Sequence, residues 1–337
     1  MGWIERVPVR AALTVLALAA GFALLPVPAA QAQVQLKFCG TSSPPSMVEI
    51  PFYVALDRGY FKAEGLDVAV SAFTGDPIAQ RALIAGEVDV VNTNLSTTIA
   101  AVSNGAAVKA IASQVTKLTY LFIARKGITS VKDLAGKSIA VSAPGALSYH
   151  VPRMVLQKHG VNPDSATYVA VGSDTQRFQA LAAGKADASI LHVARSIEAS
   201  NDPANFVPIA DIGKELPDLV QFYFAVTDKT LVERPDLLRR FLRANIKATR
   251  WVLDNKADAV QAAMKVIPGV SEQVMSQGYD MINRSGAWDP NLAVDAKSVQ
   301  ATHDLIVSTK VIAAPVPTER FVTAFLVDEV IKELGRR

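Results

Sequence analysis

The chain has 337 residues, with 34 basic and 31 acidic side chains, four histidines and one cysteine. A formal charge of +3 without any run of Lys or Arg leaves no footprint for nucleic acid or a membrane surface. A lone Cys39 excludes an intramolecular disulfide, so the fold must stand on packing.

Arg6 and Arg10 precede an apolar run, Ala11–Leu25, and Ala30-Gln31-Ala32 supplies small residues for cleavage. This is the layout of a secretory signal peptide, residues 1–32, and the run is shorter than the ~20 residues of a membrane span. The mature chain is expected to begin at Gln33, in the periplasm. Val34–Cys39 alternates as a strand, and a hydroxyl-rich loop, Gly40–Ser46, follows it. Ile50–Arg58 has helical spacing and Val68–Ala72 is strand-like, which opens a parallel α/β sheet. Asp76 reads as an N-cap with Pro77 at the first helical position.

Ala82–Asn94, ALIAGEVDVVNTN, then reads as helix end, Gly stop and strand. The same phrase returns as Ala180–His192, ALAAGKADASILH, with Ala82, Leu83, Ala85, Gly86 and Asp89 matched without a gap. One helix–Gly–strand unit is therefore used twice, once in each of two lobes. Asn94 and His192 hold equivalent places where the strands meet a shared cleft. Between the repeats, Leu118–Ala124 and Ser138–Val141 read as strands. Ser142–Ser148 is a loop entering a helix that closes at His159-Gly160, with Pro152 placed early in it. Thr167–Val171 and Asp218–Val226 are further strands, and from Arg234 the chain is mostly helical. The apolar strands Leu118–Ala124 and Leu219–Val226 are expected to be the crossings between lobes.

The stretch PFYVALDRGYFKAEGLDVAV, Pro51–Val70, resembles substrate-binding proteins of ABC importers in the nitrate, sulfonate, taurine and thiamine-precursor group. Val131–Lys137 resembles that group's turn before the second lobe, and Pro235–Leu242 with Trp251 its long C-terminal helix. The resemblance implies a two-lobed type II periplasmic binding protein fold of class α/β, each lobe a mostly parallel sheet flanked by helices. The expected division is 33–123 for the first part of lobe one and 124–223 for lobe two. Residues 224–337 then complete lobe one and add the C-terminal helices.

Enzyme signatures are missing: there is no Gly-x-Ser-x-Gly elbow, Walker loop or Gly-x-Gly-x-x-Gly, and no metal-ligand spacing among the histidines. No catalytic residue, metal or cofactor is expected. A pyrimidine-forming branch of the superfamily carries a cysteine cluster, which this chain lacks. Ligand contacts are sought instead beyond the carboxyl ends of strands, where helix N-termini each contribute ~0.3–1 kcal/mol toward an anion. The candidates are Thr41, Ser42, Asn94, Leu95, Ser96, Ala146, Ser148, Asp174, His192, Gln221 and Tyr223. Asn94 and Ser148 read equally as helix caps, and Asp174 more naturally as a cap. A cleft-facing Asp174 disfavours an anion and favours an amine. Gln221 and Tyr223 are expected on the cleft face of their strand, with Phe222 and Phe224 in the core. Trp288 is a candidate lid residue, and Arg153 and Arg177 are the basic side chains with a chance of reaching the ligand. The expected role is a monomeric periplasmic solute-binding protein. It captures a small polar molecule, anionic or aromatic, and delivers it to an ABC permease and ATPase. An exported sensor without a transport role and an enzyme of the pyrimidine-precursor branch are the alternatives.

Overall fold

The computed structural model of the protein describes residues 33–73 and 75–337, so the expected signal peptide lies outside the described residues. The chain opens with β1 (Val34–Gly40), α1 (Ile50–Asp57), α2 (Tyr60–Ala63), β2 (Leu66–Ala72), α3 (Asp76–Ile84), β3 (Val90–Thr93), α4 (Leu95–Ser103) and β4 (Val108–Val115). It crosses to β5 (Leu121–Arg125), β6 (Ser138–Val141), α5 (Leu147–Lys158), β7 (Thr167–Ala170), α6 (Asp174–Ala182), β8 (Ala188–Leu191), α7 (Val193–Ser200), β9 (Phe206–Asp211) and α8 (Ile212–Glu215). It returns through β10 (Phe222–Thr227), α9 (Asp228–Glu233), α10 (Pro235–Asp254), α11 (Lys256–Val266), α12 (Glu272–Ser285), α13 (Ala296–Ser308) and α14 (Phe325–Leu334).

Two five-stranded sheets result, ordered β2-β1-β3-β10-β4 and β7-β6-β8-β5-β9. Each is parallel except for one reversed strand, β10 in the first and β5 in the second. The reversed strand is in both cases the first one laid down after the chain crosses from the other sheet. The architecture is the expected α/β, two-lobed fold with mostly parallel sheets under helices. The crossings differ from expectation. They run before Leu121 and before Phe222, because the apolar strands themselves are ladder members, β5 beside β8 and β10 beside β3. A boundary after Ile123 therefore cuts through β5.

Repeated sequence yields repeated structure. Gly86 (φ 76°) and Gly184 (φ 69°) end α3 and α6 in the left-handed region that a side chain would strain. Asp89 accepts the Lys37 backbone N–H at 2.8 Å, and Asp187 accepts that of Ser138 at 2.9 Å. The shared aspartate thus ties the start of β3 to β1 and of β8 to β6. Below the first sheet, Phe38, Phe52, Phe61, Phe224 and Phe241 form one aromatic cluster, with Phe38 stacked on Phe52 at 3.8 Å between centroids. Helix α10 closes this core through Leu238, Phe241, Leu242 and Ile246. Trp288, expected as a lid, lies 2% exposed in the same core and donates its indole N–H to the Val48 carbonyl at 2.8 Å.

Several local expectations are corrected. Asp76 and Asp174 are the first helical residues, and the caps are Gly75 and Ser173. Ser173 accepts the Gln176 N–H and donates its own N–H to the Gln176 side chain, a complete capping box. Pro152 falls at the sixth position of α5, beyond the first turn, so the Ser148 carbonyl loses its helical donor.

Candidate functional site

The ends of β1, β6 and the two repeated units converge on one small cavity of about 30 Å³ between the sheets. Lobe one supplies Thr41, Ser42, Gly75, Asp76 and Phe222; lobe two supplies Ser142, Leu147, Ser148, Ser173, Asp174, Arg177 and His192; Tyr120 lies on the crossing. The lobes touch across it. The Leu147 N–H donates to Asp76 Oδ2 at 3.5 Å, and a side chain on Gly75 would meet the Ala143 methyl at 3.1 Å. This is a closed form with room for a water or two, not for an organic ligand.

The expected residues separate into two sets. Thr41, Ser42, Ser148, Asp174 and His192 line the cavity. The others lie behind it. Asn94 caps α4, its Oδ1 taking the Thr97 N–H at 3.0 Å and the Ser96 hydroxyl, which ties up Ser96 as well. Leu95 belongs to the lobe-one core, and Ala146 is the buried N-cap of α5. Tyr223 is fully buried in the core, opposite Thr93 and Ser113, while Phe222 faces the cavity. Alternation along β10 holds, with Phe222, Phe224 and Val226 in one core cluster and Tyr223 and Ala225 in the other; the expectation assigned the cleft to the wrong one of the two faces. Arg153 sits outside, paired with Asp164 at 2.6 Å.

Gln221 acts one step back. Its Oε1 accepts both the N–H of Thr119 (3.0 Å) and the Thr119 hydroxyl (2.9 Å). A backbone N–H can only donate, so the amide orientation is fixed and Nε2 is left to donate to His192 Nδ1 at 3.2 Å. The neutral imidazole therefore carries its proton on Nε2. Burial pushes the His192 pKa down to about 4, against the pull of Asp174. The ring is uncharged at neutral pH, packs at 4.4 Å from the Tyr120 ring, and stacks at 6.3 Å on Phe222.

The charges are unequal across the two lobes. In lobe two, Asp174 Oδ1 accepts the His192 N–H at 2.9 Å and pairs with Arg177 at 3.0 Å. Arg177, 3% exposed, also donates to the Gly172 and Ile190 carbonyls. Asp76 occupies the equivalent place in lobe one, but the position matching Arg177 is Ala79. Asp76 is 6% exposed, its Oδ1 has no hydrogen-bond partner among the described residues, and burial raises its pKa above the ordinary 3.8. The backbone N–H groups of Leu147 and Asn94 offset that rise in part. The Asn94 side-chain amide also helps to hold the Asp76 pKa down, although its Nδ2 makes no hydrogen bond of full geometry among the described residues. Burial also raises the Tyr120 hydroxyl well above its ordinary pKa, with Asp76 the largest charge adding to it. The cavity thus offers one neutralised carboxylate, one carboxyl without a counter-ion, hydroxyl donors, and three aromatic faces.

Tyr120, Phe222 and Asp76 were not among the residues expected to bind, whereas Arg177, named as a basic side chain with a chance of reaching the ligand, does line the cavity. Asp76 had a signal: it precedes its Ala-Leu pair by the same interval as Asp174 does, so the repeat extends further toward the N-terminus than Ala82 and Ala180.

Two sheets of this strand order, closing on a cavity at their facing edges, define a protein with the periplasmic binding protein fold. Residues 47–259, more than half of the chain, match the family described as NMT1/THI5 like, and the chain belongs to that family. It is 24% identical over 256 residues to the riboflavin-binding protein RibY of Chloroflexus aurantiacus, covering 72% of this chain and 70% of that one. It is 29% identical over 235 residues to the 4-amino-5-hydroxymethyl-2-methylpyrimidine phosphate synthase THI13 of Saccharomyces cerevisiae, covering 65% and 66%. Among solved structures, the alkanesulfonate-binding protein SsuA of Xanthomonas axonopodis pv. citri, bound to MOPS, superposes with a TM-score of 0.72 at 16% identity, covering 87% and 99%.

Proposed function

We propose that the protein is an exported solute-binding protein that takes a small, nitrogen-bearing heteroaromatic molecule between its lobes and hands it to an ABC importer. The observation that carries the ligand class is Asp76, a buried carboxyl with an unpartnered oxygen and no cation beside it. An amino or ring N–H group satisfies that oxygen, whereas a sulfonate or nitrate would add a second negative charge in a poorly solvated site. Arg177 offers little to an anion, since its guanidinium already serves Asp174 and two carbonyls. Tyr120, His192 and Phe222 supply flat faces for a ring. Contacts from both lobes favour closure, because only differential affinity shifts that equilibrium. The family ties favour the same class, as relatives are named for riboflavin binding and for an aminopyrimidine product.

Binding without turnover is the reading preferred for this site. The synthase relatives raise catalysis as the alternative, but Cys39 is buried and bonded to the Gly40 carbonyl, and the neutral His192 is held by Gln221. The test is a thermal-shift and calorimetric panel on the chain from Gln33. Aminopyrimidines and flavins are expected to raise the melting temperature and to be recovered unchanged. Stabilisation by sulfonates or nitrate alone would sink the ligand class, and product formation would sink the binding-only role.

A further inference from the structure

The closed cavity holds about 30 Å³, yet just beyond its lip lies a groove of about 730 Å³. The same two loops wall both. Gly75, Asp76, Ser142, Leu147 and Ser148 face the cavity; Pro77, Pro144 and Gly145 face the groove. Two glycines stand at the lip: a side chain on Gly75 would strike Ala143 at 3.1 Å, and one on Gly145 would meet Pro77 at 3.7 Å. The groove floor is apolar, formed by Ala100, Ala101 and Ala106 on and just after α4. Polar side chains line it too, among them Arg81, Thr97, Asn104 and His150. Gln80 lines the groove at 2% exposure, and both its amide atoms lack hydrogen-bond partners among the described residues. A buried amide with neither donor nor acceptor satisfied costs about 1–3 kcal/mol. The groove's size falls within the ~300–1,000 Å³ of small-molecule sites.

We infer that the groove is a second compartment for the same ligand. The polar ring sits in the cleft once the lobes part, and an apolar substituent passes between Gly75 and Ala143, which must separate from the contact seen here, to lie on α4 with a hydrogen-bonding group meeting the Gln80 amide. The inference rests on the cleft reading and extends the ligand class to ring compounds with an apolar arm. An arm in the lip also gives the closed form a contact with both lobes that a bare ring does not make.

The experiment uses two probes, 4-amino-5-hydroxymethyl-2-methylpyrimidine and its O-alkyl ethers of increasing length. Binding to the wild-type chain and to Ala101→Trp is measured by calorimetry, with methyl spectra of 13C-alanine-labelled protein. In the wild type, affinity should rise roughly three- to fourfold per methylene until the groove is filled, and the Ala100, Ala101 and Ala106 methyls should shift only with the ethers. In Ala101→Trp the ring alone should bind as in the wild type and the gain should vanish. Ring binding with no gain from the chain, or with a gain that survives Ala101→Trp, overturns the groove and leaves the cleft reading intact. Failure of the ring to bind while ethers still shift the three methyls overturns the cleft reading and the shared-ligand inference together. A collapsed Ala101→Trp fold would show in its melting curve, and Ala100→Phe then takes its place.

Discussion

Asp76 carries a prediction that joins affinity to pH. Burial raises its pKa above 3.8, and an amine-bearing ligand against Oδ1 should lower it again. Between those two values the free cavity holds a proton that the complex releases. Affinity for a cationic ligand should therefore rise as pH rises through that window, by up to about tenfold per unit, and level off above it. Calorimetry in two buffers of different ionisation enthalpy counts the proton directly. In Asp76→Asn the Leu147 N–H keeps an oxygen acceptor, so the fold should hold, while a charge-assisted hydrogen bond of ~1.5–3 kcal/mol is lost. That amounts to roughly 10- to 150-fold weaker binding, with the pH dependence abolished. A dissociation constant flat across the acid range in the wild type, or an Asn variant that binds within threefold of it, would refute the reasoning.

Gly278 of α12 has no room for a side chain, since a Cβ would lie 2.7 Å from Met47 Sδ and 3.2 Å from Val193 Cγ1 on α7. Gly278→Leu improves helix propensity by roughly 0.8 kcal/mol but wedges α12 from α7; scattering should show a radius that no longer shrinks with ligand, without a lower melting temperature. Gln221→Leu removes the donor to His192 Nδ1 and strips the Thr119 N–H of its acceptor. It should cost about 1–3 kcal/mol in urea unfolding and give nitrogen shifts of mixed His192 tautomers in place of the Nε2–H form. Asp89→Ala and Asp187→Ala should each cost about 1–3 kcal/mol. Lying in different lobes, their effects on urea midpoints should add.

The repeat and the strand–helix rhythm of both lobes were legible because each is a local signal: β-branched runs, helix-ending glycines, an aspartate at constant spacing. Strand β4 was not, because VKAIASQV, Val108–Val115, is buried on nearly every residue and shows no alternation. Strand β9 carries Pro208, which a reading of single strands takes as a break; it is tolerated because β9 lies at a sheet edge. The site was half legible. Hydroxyls in loops after strands were found by position, and Thr41, Ser42 and Ser148 do line the cavity. Tyr223 and Phe222 were exchanged because alternation sorts a strand's residues into two faces without saying which face meets the second lobe. Tyr120 was hidden in what read as the middle of a strand and is a crossing residue, outside β5.

The charge of the site follows from how one duplicated unit has diverged. Both copies place an aspartate at the first turn of the helix and aim it at the N–H of the residue after the following strand. In lobe two Arg177 neutralises it one turn along; in lobe one Ala79 does not, and packs into the core instead. The fold is indifferent to this difference, since both helices form and both strands pair in the same order. Under the proposed ligand class the difference matters, because the unneutralised carboxyl is the one with an oxygen lacking a partner among the described residues. Solved structures that share the fold at 13–16% identity, among them the Xanthomonas SsuA and a nitrate-binding protein from Synechocystis, are therefore guides to the fold and not to the chemistry of the site. The chemistry lies in the pairing of residues 76 and 79 against 174 and 177, where one substitution decides between a neutral pair and an isolated carboxyl.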